Sequence, residues 1–165
     1  MESFQIIATR QKFAGIFSLS SYYSYLYDVF RRMGYEVWEI KYRLKNIPGK
    51  GELELFWECY KKIDSYVKLY IFAKTLIVGL EDKEVNIEGV NVTRQKGDVE
   101  LEMKAQLQTD YANTWETNPL LLPLKPIYDS TIYRPKFKEL EATVAKHLYT
   151  VENEIKAFFK METFS

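Results

Sequence analysis

The sequence predicts an α+β fold: a curved antiparallel sheet of about six strands packed on a long C-terminal helix, with a shorter helix after the first strand. Three observations carry this. Several stretches alternate apolar and polar residues with period two, as strands with one buried and one wet face do. The C-terminal segment switches to the 3.6-residue period of an amphipathic helix. Strand-favouring rings are abundant, with 13 Tyr, 10 Phe and 3 Trp making 16% of the chain.

The elements follow in order. Phe4 to Phe13 reads as a first strand ending near Gly15. Ser20 or Ser21 can cap a helix from Tyr22 to Met33, stopped by Gly34. Its residues Tyr22, Tyr25, Leu26, Val29 and Met33 share one face. Trp38, Ile40, Tyr42 and Leu44 then alternate with polar residues up to a turn at Asn46 to Gly51, and Leu53, Leu55, Trp57 and Cys59 form the next alternating run. Tyr66 to Val78 is apolar on both sides in places, which suits a central strand. Glu84 to Thr93, divided at Gly89, reads as a weaker segment, and Val99, Leu101, Met103, Ala105 and Leu107 mark the cleanest strand.

Residues 117–135 hold four of the five prolines and the string Leu120-Leu121-Leu122-Pro123-Leu124. Proline spacing forbids a regular helix there, and the apolar string is expected to pack on the sheet because an exposed run of this kind invites aggregation. Pro135 suits the first position of the last helix. That helix is expected to reach Lys160, with Phe137, Leu140, Val144, Leu148, Val151, Ile155 and Phe158 on one stripe. A chain of 165 residues without a linker or repeat is expected to form one domain, 1–165.

Composition narrows the function classes. Lys plus Arg equals Asp plus Glu at 23 each, so the net field that drives nucleic-acid binding is missing and no nucleic-acid partner is expected. Lys61, Lys62, Tyr66, Lys68, Tyr70 and Lys74 interleave charge with rings, as an ordinary exposed strand face also does. Cys59 is the single cysteine, which points to a reducing compartment; with no signal-peptide pattern and no long apolar span, a soluble, cytoplasmic protein without integral membrane association is expected.

No nucleophile, phosphate-loop or metalloprotease motif occurs, and one Cys with one His leaves no zinc set, so neither a cofactor nor a metal is expected. His147 lies at the edge of the last helix's stripe, the usual place of a structural histidine. Glu141 flanks the other shoulder; were the helix to cover a cavity, Glu141 would be placed to act there as acid, base or polar anchor. The ring-rich faces expected to point inward carry Trp38, Tyr42, Trp57 and Met103. Together with Glu141 and His147 these are the candidate ligand-binding residues.

Gly34-Tyr35 with Glu39, Trp57 followed by Lys61-Lys62-Ile63-Asp64-x-Tyr66-x-Lys68, Lys96-Gly97, Asp110-Tyr111, Trp115-Glu116, Tyr128-Asp129, Arg134 and Ile155-Lys156-Ala157-Phe158 resemble a family of small uncharacterised archaeal proteins over nearly the whole chain. That family brings no established activity. In element order the chain is also similar to the START-like helix-grip folds, in which a curved sheet wraps a C-terminal helix around a hydrophobic cavity. Such folds host lipid carriers, hormone receptors and cyclases alike; the ring-rich faces opposite the narrow-striped helix lead to the expectation of non-enzymatic binding of a hydrophobic or aromatic, lipid-like small molecule between sheet and helix. The alternatives are a structural or protein-interaction module that contacts partners, or a second copy, through residues 117–135, and a carboxylate enzyme centred on Glu141.

Overall fold

The computed structural model describes residues 1–164, and the side chains of all of these but residues 47, 163 and 164. Five strands, β1 (Glu2–Phe17), β2 (Glu36–Ile47), β3 (Lys50–Lys62), β4 (Val67–Ile87) and β5 (Val90–Thr109), form one antiparallel sheet in the order β1-β5-β4-β3-β2. The sheet is open, with β1 and β2 at its edges, and β4 takes the central place that its two-sided apolar character predicts. The strand count corrects the expected six. Glu84 to Thr93 is not a separate strand but the tip of one long β4–β5 hairpin, which turns at Glu88-Gly89 where both residues have positive φ. Two successive positive φ values give the tight turn whose twist matches that of paired strands.

Helix α1 (Leu19–Arg32) starts three residues earlier than expected because Ser18, not Ser20 or Ser21, is its cap; the Ser18 hydroxyl accepts from the Ser21 amide at 3.3 Å. Its other end explains the Gly34-Tyr35 pair. Gly34, at φ 87°, donates to the Arg31 carbonyl and Tyr35 donates to that of Phe30, and the Phe30 and Tyr35 rings meet edge-on at 6.1 Å. This is the glycine-terminated helix end with its accompanying apolar contact. Lys61 adds a cation there, donating to the Met33 carbonyl at 2.9 Å.

The crossing after β5 is helical in pieces: α2 (Thr114–Thr117), a 3-10 turn (Leu122–Leu124), α3 (Lys125–Tyr128) and a π-turn (Asp129–Tyr133) that runs directly into α4 (Arg134–Phe164). Pro135 has no amide to give the preceding turn, and the widened π-turn falls just before it. The expectation that the Leu120 to Leu124 string packs on the sheet is overturned. Leu120 is 82% exposed, and Leu122, Leu124, Ile127 and Ile132 are exposed as well. What holds the crossing down is its rings and charges: Tyr66, Trp115, Tyr128 and Tyr133 form one aromatic cluster, and the buried ammonium of Lys125 bonds Glu2 and Glu116.

Helix α4 lays Val144, Leu148, Val151 and Ile155, all fully buried, against β1, β5 and β4. Helix α1 packs beside α4 and β2 and contributes Tyr22, Leu26, Val29 and Phe30 to the same core. From the sheet come Leu53, Leu55, Trp57, Leu69, Ile71, Leu101, Met103 and Leu107. No helix of the described residues is long and apolar enough to cross a membrane.

Candidate ligand-binding cleft

The long hairpin outruns its neighbours. Strand β1 last pairs at Phe17 with Gln95, and β3 meets β4 last at Gly51 with Leu80; beyond these points β4 and β5 pair only with each other. The result is a two-stranded arm. At its base the register shifts between Val78 and Glu81, where Gly79 has φ 65°, the kind of irregularity that bends a strand. Gly97 is needed opposite this bend because a Cβ there would lie 2.9 Å from Ile77 Cγ2. At the tip the Asn86 side chain accepts from the Gly89 amide at 3.0 Å.

A cleft of about 780 Å³ lies where the arm, the end of β1 and the C-terminal turns of α4 converge. Its apolar lining comes from Phe13 and Ile16 of β1, Val85 and Ile87 of the arm, and Phe159 of α4. The Phe13 and Phe159 rings stack at 4.2 Å, and Phe159 meets Phe17 edge-on at 5.4 Å, which ties the helix to the edge strand. Charged residues line the rest: Lys12, Arg94, Lys96, Lys156, Lys160 and Glu162.

A second cleft, of about 570 Å³, opens on the other side of Arg94, between the start of α1 and the ends of β2 and β3. Tyr22, Tyr23, Tyr42, Leu53 and Leu55 line it with the serines of the helix start. There the Leu19 amide donates to Gln95 Oε1 at 2.9 Å, fixing the first turn of α1 to the arm.

The residues predicted for a site do not converge. Trp57 and Met103 are buried in the core between sheet and helices, at 1% and 0% exposure. Trp38 is a correction: it does not face inward but is 58% exposed on the helix-free face, where its ring meets Tyr60 at 5.8 Å. The cause is a β-bulge between Glu39 and Lys41. Ile40 is the extra residue, so Trp38 lies opposite Glu58 while Tyr42 and Leu44 lie opposite the buried Leu55 and Leu53. The apparent Trp38-Ile40-Tyr42-Leu44 alternation therefore spans two faces. Of the six, Tyr42 lines the smaller of these two clefts and none lines the larger.

Before the bulge it is Glu39 that shares a face with Trp57, accepting from the indole nitrogen at 3.2 Å and from Tyr23 at 2.5 Å. Glu141 is half-buried on the flank of α4. His147 is half-buried and hydrogen-bonded to Tyr35; burial first, then Lys61 and Lys146, pushes its pKa below the usual histidine range.

On the helix-free face, rings from neighbouring strands continue the row from Trp38 through Tyr60, Tyr70, Phe72 and Phe56, at centroid spacings of 5.7–6.2 Å. Lys68 sits over the Tyr60 and Tyr111 rings, Lys61 caps α1 and Lys74 approaches Glu54 at 3.8 Å, so these lysines of the interleaved run are engaged within the molecule.

The motif-like run around Asp64 is a structural joint. Its carboxylate accepts from the Tyr66 and Val67 amides, the Tyr133 hydroxyl and Lys136. Burial alone would raise this carboxyl, but those four donors outweigh it and hold the pKa at about 2. Sequence reasoning missed the arm residues Val85, Ile87 and Arg94 as site candidates. The available signal was Gly89 in a polar turn between two runs whose apolar residues, Val85 and Ile87 against Val90 and Val92, mirror one another about it. No protein-family model matches this chain, and no curated protein matches it.

Proposed function

We propose that this chain binds a hydrophobic or aromatic, lipid-like small molecule, without catalysis, in the cleft between the sheet's arm and the C-terminal end of α4. The observation that carries this reading is the cleft itself. Its volume, about 780 Å³, is in the range of small-molecule sites, and its lining joins an apolar group, Phe13, Ile16, Val85, Ile87 and Phe159, to charged side chains. A kinship to the archaeal family, resting on the residues quoted for it, and to the START-like helix-grip folds, resting on the order of five antiparallel strands and a long C-terminal helix, belongs to the same proposal. In this reading the ligand sits at the end of the helix and not under its middle, where Val144, Leu148 and Val151 already fill the contact with the sheet. Native mass spectrometry and melting curves across a lipid and isoprenoid panel test it, alongside fluorescence of the neutral dye Nile red. Binding should raise the melting temperature, and Ile87→Glu should abolish the dye signal. Bare protein, no melting shift and no dye binding would overturn it.

A second reading, a protein-interaction module acting through residues 117–135, is favoured by the exposed row Leu120, Leu122, Leu124, Ile127 and Ile132. Sedimentation of the wild type and of a Leu120→Ser, Leu124→Ser double variant decides whether that row mediates self-association. A partner of another kind would show as wild-type-specific capture of a defined protein.

A further inference from the structure

Resting on the proposed cleft reading, we infer that its ligand is an anionic amphiphile: a single apolar chain carrying a carboxylate or phosphate head. The chain as a whole has no charge excess, 23 cationic against 23 acidic side chains, yet among the described residues five cations and one carboxylate line this cleft. The imbalance is local and therefore has to be offset by acidic residues elsewhere on the surface.

Two of the five cations are partnered. Lys156 bonds Glu152 one helical turn earlier at 3.1 Å, and Lys12 approaches Glu100 at 4.0 Å. Arg94, Lys96 and Lys160 have no ion pair among the described residues, although carboxylates are within the arm's own sequence. Glu81, directly across from Lys96, turns instead to Lys83 at 3.4 Å, and Lys83 is the residue directly across from Arg94. Like charges facing each other across a hairpin destabilise it. Arg94 is thus held beside a second cation in the half-buried wall of the cleft, an arrangement that an anion would relieve. The apolar side chains of Phe13, Ile16, Val85 and Ile87 adjoin these cations and account for the chain of the ligand.

The test compares palmitate, methyl palmitate and inorganic phosphate by titration calorimetry, with the lipids below their micellar concentration. Palmitate should bind at least about tenfold more tightly than its ester, the scale of one charge-assisted hydrogen bond, and the gap should narrow in about 0.5 M salt. An Arg94→Gln, Lys96→Gln, Lys160→Gln variant should lose most of the palmitate affinity and keep that for the ester. Equal binding of acid and ester overturns the anionic head and leaves the apolar cleft standing. No binding of either overturns both readings. Phosphate alone binding as well as palmitate overturns the amphiphile in favour of a free anion. Should the triple variant not fold, the acid-to-ester ratio and its salt dependence in the wild type decide the matter unaided.

Discussion

The Tyr35 hydroxyl lies 2.9 Å from Nδ1 of His147, so the residue that follows the glycine stop of α1 is pinned to the middle of α4. A neutral imidazole that accepts at Nδ1 carries its proton on Nε2 and leaves the buried Tyr35 hydroxyl as donor. Protonation removes that acceptor.

Acid should therefore loosen this joint. The folded-state pKa of His147 is lowered below its ordinary 6.5 by burial first, and by Lys61 and Lys146. The unfolded chain thus takes up its proton at higher pH than the folded one. The contribution is fully present above the unfolded pKa and is lost as pH falls through that value towards the lower folded one. Denaturant midpoints measured from about pH 7.5 to pH 5 should fall in the wild type, and His147→Gln should flatten the slope in this window. An unchanged slope would assign the effect to other groups.

Asp64 acts in the same direction, further into the acid range. Its pKa drops from 3.8 to about 2 because Lys136, Tyr133 and two amides outweigh burial. Its stabilisation is present above the unfolded value and lost as pH falls towards the folded one. Asp64→Asn should cost about 1–2 kcal/mol at neutral pH, solvent screening included, and less below about pH 3. Chemical denaturation at both pH values measures the difference.

Gly97 faces Gly15 across the β1–β5 ladder, with Ile77 Cγ2 where a side chain would begin. Gly97→Ala should destabilise by about 1–3 kcal/mol through overpacking. The strain falls at the base of the arm, so proteolysis should accelerate between residues 79 and 97 before the rest of the chain opens. Uniform digestion would place the strain elsewhere.

Deletion of Ile40 should be tolerated. Glu39 pairs with Trp57 and Lys41 with Phe56, so removing the bulged residue leaves every other pair in register and every other side chain on its own face. The expected change is below about 1 kcal/mol, with less local twist. Deleting Phe56 instead would put the buried Leu55 and Trp57 on opposite faces of β3 and shift it against β4, and should cost several times more. Thermal melts of the two deletions separate these outcomes.

Much of the fold was legible because periodicity reports burial directly. The alternation from Val99 to Leu107, the stripe from Leu140 to Phe158 and the two-sided run before Val78 each predicted their element and its buried face. Failures came where one residue changes the count. The bulge at Ile40 moved Trp38 to the other face, and the turn at Glu88-Gly89 made one hairpin tip look like a separate strand. The candidate site was the least legible part. Val85, Arg94 and Phe159 are brought together by the length of the arm and its place beside the end of α4, and neither quantity is written in local pattern. The residues that look most like a motif, Lys61 to Lys68, proved to be a helix cap, a turn and a clamp on the crossing.

Among the described residues strand β1 pairs only with β5, nearly the whole sheet later: Glu2 pairs with Thr109 and Phe13 with Val99. During synthesis it leaves the ribosome before its partner and waits, extended, while about ninety further residues are added at 5–20 per second. An unpaired strand is a template for illicit pairing, and β1 answers with Gln5, Thr9, Arg10, Gln11 and Lys12 spread along its length. The β2–β3 and β4–β5 hairpins close over two-residue loops and can form without it. The nascent chain is thus expected to acquire its first strand last, together with α4, and that late addition is what completes the cleft wall formed by Phe13 and Phe159.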